Sequence, residues 1–340
     1  MVLLQIFAPC ESFGDFKFPS FPSFPPAGVN GKNQALKPGD TIAVIGASGN
    51  VGKLVALRLS DTYNVNGVVR DAASVEPFFE GRKDRIKLFE ANLLNEMNNP
   101  QSDGGGGIVK FPDSLAAPLK NANTIVICTG TTAFPTKAWT KSGEEEGSNS
   151  VLRALLDNSF SVPNAIASLD EQGLNTPNNV DAKSNEFVVK AWDDACRVAQ
   201  KRIIMLSSIG VQRRDAMPFP ILNACGVLDA KAKGEESIME SAQNKGYSYT
   251  IVRPGQLFGG PYDNNYYLGT LVQLDKYTET QDVVFGRGNE LLGDTLRSTL
   301  AKVTAQICEG DYARDMDFAV VNEKGDSPTV DVVQERLRAL

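Results

Sequence analysis

The segment Thr41-Ile42-Ala43-Val44-Ile45-Gly46-Ala47-Ser48-Gly49-Asn50-Val51-Gly52, running on into Lys53-Leu54-Val55-Ala56-Leu57-Arg58-Leu59, constrains the fold more than any other part of the chain. A β-branched apolar run stops at a glycine, a glycine-punctuated turn follows, and a helix-forming run takes over. The pattern predicts a strand, a tight turn and a helix, in that order. Gly46 suits the turn, Gly49 lets a ligand approach the backbone, and Gly52 lets the helix pack closely on the strand. A helix N-terminus offers unpaired N–H groups and a partial positive charge. Gly46, Ser48, Gly49, Asn50, Val51 and Gly52 are therefore candidates for holding a diphosphate.

From Thr41 onward, strand-like and helix-like stretches alternate. Val65–Val69, Ile86–Phe89, Thr124–Cys128, Ile203–Ser207 and Tyr249–Val252 read as the second to sixth strands, with Val283–Phe285 and Phe318–Val321 later. Ser114–Leu119, Glu186–Ala199, Ala230–Asn244 and Asp294–Glu309 read as helices. Strands apolar on both faces imply a parallel sheet covered on both sides, a doubly wound α/β fold that binds ligand outside the carboxyl ends of its strands. Residues 95–112, with Gly104–Gly107, and the polar stretch 143–182 read as surface insertions, the second enclosing a short helix at Val151–Leu156. No linker separates two cores, so residues 40–322 read as one domain and 323–340 as a tail. Residues 1–39 read as an arm outside it, with a Phe-Pro repeat over Phe18–Pro26 that favours extended, polyproline-like chain. The arm is either a leader, such as a targeting remnant, or a docking arm whose phenylalanines fill a groove on this protein or a partner.

Composition narrows the chemistry. Lys and Arg number 34 against 41 Asp and Glu, a net charge of −7, with no basic stripe to suit nucleic acid. No apolar run reaches about 18 residues, so nothing reads as a membrane span. Histidine is absent, which excludes Ser-His-Asp and Cys-His catalysis and His-based zinc sites. The 5 cysteines are widely spaced, without a Cys-x-x-Cys pair, and read as small apolar residues rather than a disulfide framework. No metal-ligand cluster is evident.

The ordered landmarks carry a resemblance. Gly46-Ala47-Ser48-Gly49-Asn50-Val51-Gly52, Val68-Val69-Arg70-Asp71, Thr129-Gly130-Thr131-Thr132-Ala133-Phe134, Leu206-Ser207-Ser208-Ile209-Gly210-Val211 and Tyr249-Thr250-Ile251-Val252-Arg253-Pro254-Gly255 are similar in type and order to the atypical short-chain dehydrogenase/reductase family. This NAD(P)-binding branch includes NmrA-like and biliverdin-reductase-like proteins. The resemblance covers about residues 40–322, and Thr129–Trp139 looks most like plastid members, which implies a place in the chloroplast stroma or at its stromal membrane surface, with the cytoplasm as the alternative. It also implies a nicotinamide dinucleotide held by the glycine turn, by Asn92 and Leu93 after the third strand, by Thr129, Gly130 and Thr131 after the fourth, and by Ser207, Lys231 and Pro254. Arg70 stands where NADP binders place a cation for the 2′-phosphate. Asp71 keeps NAD open, since an acid there would hold a ribose hydroxyl.

Active members of the family commonly use Tyr-x-x-x-Lys on a helix face. Here Lys231 fills the lysine place, Val227 stands where the tyrosine should be, and Ser208 matches the serine position. Tyr262, Tyr266 and Tyr267, in the expected substrate loop, are substitute donors, and Phe134, Trp139, Met217 and Phe219 could complete an apolar pocket for a planar ligand. Two readings stay open. One is an NADPH-dependent reductase of a small planar or carbonyl-type substrate working without the usual tyrosine. The other is a non-catalytic NADP-binding assembly, scaffold or redox-sensing factor of a plastid complex.

Overall fold

Thr41–Ile45 enters the structure as β1, with Ile42 and Val44 packed to one side of the sheet and Ala43 and Ile45 to the other, all fully buried. The period-2 alternation of side chains thus feeds two cores at once. The computed structural model describes residues 34–98, 101–102, 109–141, 147–259, 279–288, 290–310 and 312–340.

After β1 come α1 (Asn50–Leu59), β2 (Asn64–Val69), β3 (Ile86–Glu90) and α2 (Leu93–Asn98). A two-stranded ribbon, β4 (Gln101–Ser102) with β5 (Val109–Lys110), precedes α3 (Asp113–Leu119) and β6 (Thr124–Ile127). Then follow α4 (Gly147–Asp157), α5 (Val162–Glu171), a π-helical turn at Asn178–Lys183, α6 (Ser184–Ala195) and β7 (Arg202–Leu206). The chain continues through α7 (Phe219–Leu222), α8 (Val227–Lys245), β8 (Ser248–Pro254), β9 (Gln256–Phe258), β10 (Asp282–Gly286) and β11 (Asp294–Leu296). It closes with α9 (Arg297–Glu309), β12 (Met316–Glu323) and α10 (Val330–Arg338).

The sheet runs β3-β2-β1-β6-β7-β8-β12, every adjacent pair parallel, and β10 and β11 join β12 antiparallel. One face packs α1, α9 and α10 into a core with Val55, Leu59, Leu300, Val303, Val333 and Leu337. The other packs α3, α6 and α8 around Leu115, Val188, Trp192 and Ile238. The expected doubly wound parallel sheet is the observed fold. Its connectivity reverses between β1 and β6, and a crevice opens there at the strands' carboxyl ends.

Three segments differ from the sequence reading. Asp294–Leu296, expected to begin a helix, pairs with β9 as a strand, and the helix starts at Arg297. The tail holds α10, capped by the Thr329 hydroxyl and inserting Val333 and Leu337 into the first core. The stretch 143–182 is a surface insertion only in its first part. From Asn175 onward it is buried, with Thr176 and Asp181 inaccessible to solvent. Its polar composition masked this, because these polar groups are satisfied by one another rather than by water. Gly104–Gly107 and the Phe-Pro arm lie outside the described residues.

Candidate functional site

Gly46 ends β1 at φ +81°, and its N–H donates to the Val68 carbonyl at 3.0 Å, tying the turn to β2. The Gly49 N–H turns back onto the Gly46 carbonyl at 3.0 Å, and Gly49 precedes α1 without any side-chain cap. The opening N–H groups of α1 are thus left for a ligand or solvent. A Cβ at Gly52 would stand 2.2 Å from the Gly46 oxygen, so the helix can reach this position only on a glycine.

Around this turn lies a cleft of about 200 Å³. Gly46, Ser48 and Gly49 form one edge, and Val68, Val69 and Arg70 bring the end of β2 to it. Asn92 and Leu93 arrive after β3, and Thr129, Gly130 and Thr131 after β6. These are the sequence-derived candidates that the fold brings together. Asn92 also accepts the Asn95 N–H at 3.3 Å, capping α2 while it lines the cleft. Asn50, Val51 and Gly52 lie in the first turn of α1 behind the lining residues.

Arg70 is exposed at the mouth of the cleft. The neighbouring Asp71 carboxylate folds back to accept the Ser74 N–H at 3.2 Å. An acid occupied by its own loop is a poor holder for a ribose hydroxyl, whereas the guanidinium lines the cavity.

At the Gly130 turn, Lys231 and Thr131, expected from the sequence, meet residues that sequence reasoning did not single out. Lys231 projects from α8 so that its Nζ comes within 3.5 Å of a Cβ built on Gly130. It donates to Asp181 Oδ1 at 2.7 Å, and the Thr131 N–H donates to the other Asp181 oxygen at 3.3 Å. Burial pushes the Asp181 carboxyl above the ordinary aspartate range, against the pull of Lys231 and of the Thr131 amide. Asp181 sits in the π-helical turn, whose extra residue per turn re-aims side chains and often marks a functional position. Asn185, one turn on, accepts the Thr129 hydroxyl at 2.9 Å and donates to the Asp181 carbonyl at 2.9 Å. Asn175, Val180 and Ser184 line the cleft beside this group, whereas Lys231, Asp181 and Asn185 are not among its lining residues. The available signal was local: Asn175, Thr176, Asn178, Asn179 and Asp181 are polar residues leading directly into an amphipathic helix.

Other candidates lie elsewhere. The Ser207 hydroxyl donates to Glu235 at 2.5 Å, inside a buried network in which Arg253 bridges Glu235 and Asp317. The Ser208 hydroxyl donates to the Ile209 carbonyl at 3.0 Å, and Pro254 is buried at the end of β8; none of the three lines the cleft. Val227 is buried with Val211, Phe219 and Leu228. Trp139 and Phe219 are core residues, whereas Phe134 and Met217 are exposed, so the four do not make a common apolar pocket. Tyr262, Tyr266 and Tyr267 fall outside the described residues. Cys128 reaches the cleft, but burial raises its thiol strongly, so it is not a thiolate. Among the described residues there is no metal-ligand cluster, and no helix is long and apolar enough to cross a membrane.

The uncapped helix, the close approach at Gly52 and the cleft along the strand ends fit a dinucleotide. Gly49 and the α1 amides would hold its diphosphate, and Lys231 with the Thr129–Thr131 turn would hold its second ribose. The profile described as NAD(P)H-binding matches residues 107–284, just over half of the chain. No curated protein matches the sequence. Solved structures with the same fold include an NAD-dependent epimerase/dehydratase assignment from Bacillus halodurans, 19% identical, covering 87% of this chain and 100% of that one at a TM-score of 0.53. The oxidoreductase ylbE from Lactococcus lactis is 17% identical, covering 88% and 96% at a TM-score of 0.53.

Proposed function

The chain belongs to the NAD(P)H-binding family, and from that premise we propose that it is an NADPH-dependent reductase of a small, electron-poor, planar or carbonyl-type acceptor. The observation that carries the cofactor choice is Arg70 lining the cleft while the Asp71 carboxylate is occupied by the Ser74 amide. A guanidinium grips a phosphate monoester through two parallel N–H donors. Bound NADPH supplies hydride.

The protein's own contribution is positional. The α1 amides neutralise diphosphate charge, Arg70 selects the phosphorylated ribose, and Lys231 presents an ammonium at the Gly130 turn. Asp181 fixes that ammonium through a bond in a water-poor setting, where rotamer freedom is already lost. Val227 carries no proton, so the acceptor draws its proton from solvent, from its own acidic group or from one of the loop tyrosines Tyr262, Tyr266 and Tyr267. This favours substrates whose reduced form is a stabilised anion.

A second reading, a non-catalytic NADP-binding or redox-sensing factor, is favoured by Val227, whose place in an apolar cluster leaves no donor four residues before Lys231. Calorimetric titration with NADPH and NADH tests the cofactor choice: NADPH binds more tightly, and Arg70→Ala removes the difference. Tighter NADH binding overturns it. NADPH oxidation with quinone, enone, flavin and tetrapyrrole acceptors tests the reaction, and inactivity across the set with intact binding favours the second reading.

A further inference from the structure

Beyond Arg70 the cleft opens into an outer hollow of about 570 Å³. The loop after β2 contributes Arg70, Asp71 and Ser74 to it, and the loop after β6 contributes Lys137, Thr140 and Lys141. Among the described residues lining the hollow are three cations, Arg70, Lys137 and Lys141, and one carboxylate, that of Asp71. The diphosphate is already provided for by the amides of α1, so three cations gathered on one hollow are placed to meet a further anionic group at this end.

The lysines ride on a turn that is pinned from beneath. Trp139, between them, is completely buried, and its Nε1 donates to the Thr132 carbonyl at 3.0 Å. The Thr136 hydroxyl accepts the Ala138 N–H at 3.1 Å, and the Thr140 hydroxyl donates to the Lys137 carbonyl at 2.9 Å. Asn175 fastens the downstream side, donating its N–H to the Trp139 carbonyl at 2.8 Å and its side-chain amide to the Thr140 carbonyl at 2.5 Å. With the tryptophan directed into the core, Lys137 and Lys141 are exposed on the turn's outer surface. A turn ordered before the ligand arrives spends less of the interaction on loop ordering.

We propose that Lys137 and Lys141 complete, with Arg70, a three-cation clamp for a phosphate monoester on the ribose of the bound dinucleotide, which makes the loop after β6 a determinant of cofactor choice. This inference rests on the NADPH reading above and adds residues to it. Arg70 supplies planar, bidentate recognition, and the ammonium groups add charge without fixed geometry.

The test is calorimetric titration of the full chain and of Lys137→Ala/Lys141→Ala with NADPH and with NADH, at low and high salt. The double variant should lose about tenfold in NADPH affinity at low salt, keep its NADH affinity, and show a smaller loss at high salt, as screened surface charges require. The Lys137→Arg/Lys141→Arg variant should retain the NADPH preference, which guards against a folding artefact. Adenosine 2′-phosphate should compete better than adenosine 5′-phosphate against the parent, and the advantage should shrink in the alanine variant. A parent that prefers NADPH together with an unchanged alanine variant overturns the clamp and leaves the NADPH reading standing. Equal losses for both nucleotides also overturn the clamp, because the lysines then act on what the two share. A parent without preference removes the NADPH reading itself, and the clamp with it.

Discussion

At the Gly46–Arg70 end of the cleft stand the uncapped start of α1 and an exposed guanidinium. At the Gly130 end, a lysine and an inaccessible aspartate hold each other at 2.7 Å, braced by a backbone amide and by Asn185. The first end depends on where the main chain can go, the second on charge removed from water. A main-chain site fails when a single atom intrudes. A buried ion pair fails when one partner is removed and the other is stranded.

The largest expected effect lies at the first end. Gly52→Val would place a Cβ 2.2 Å from the Gly46 oxygen. It should destabilise the fold by about 3 to 4 kcal/mol and abolish dinucleotide binding, read by urea denaturation and titration. Retention of both would show that the backbone there yields, and the contrast between the two ends would fall. Next is Asp181→Ala, which leaves Lys231, with only 11% of its side chain accessible, without its carboxylate. A loss of about 3 kcal/mol is expected in the same denaturation experiment, and a neutral result would place Lys231 in water. Val227→Tyr restores a phenol four residues before Lys231 but forces a ring among Val211, Phe219 and Leu228. It should cost about 2 kcal/mol by overpacking, and any gain in acceptor reduction would identify the missing proton donor as the limiting element.

The smallest effect concerns Asp193, a half-buried carboxylate away from the cleft. Burial holds Asp193 above the ordinary aspartate range, although Ser241 and Gln200 donate to it at 2.6 and 3.3 Å. A carboxyl raised in the native state favours folding below its unfolded pKa, and that advantage is lost as pH climbs through the native value. Asp193→Asn should therefore gain about 1 kcal/mol relative to the parent between acidic and neutral pH. Urea midpoints at a series of pH values check the slope, and a flat difference would assign Asp193 an ordinary titration.

The contrast between the two ends also explains what could be read from the sequence. The turn from Gly46 to Gly52 is contiguous, and its requirements on backbone conformation and close approach are written in glycines. The strands were legible because β1, β2, β6, β7 and β8 are apolar on both faces. Arg70 was found by its distance from the turn. Asp181 was not, because its partner lies 50 residues away and its neighbours look like solvated loop. Trp139 was read as a pocket residue because an aromatic beside a cleft and an aromatic beneath it have the same sequence signature. The helix Val330–Arg338 was missed because its buried face is only Val333 and Leu337 amid charged residues. Asp294–Leu296 was absorbed into a helix because three residues carry too little periodicity to separate strand from helix.

Trp139 has a further consequence. The chain holds 2 tryptophans, and the other, Trp192, lies in the second core with its ring 4.8 Å from that of Tyr247. Replacing Trp192 by Phe would leave a single indole emitter on the turn that bears the two lysines. Its fluorescence would report the hollow's occupancy directly, giving the protein a built-in optical gauge for the dinucleotide.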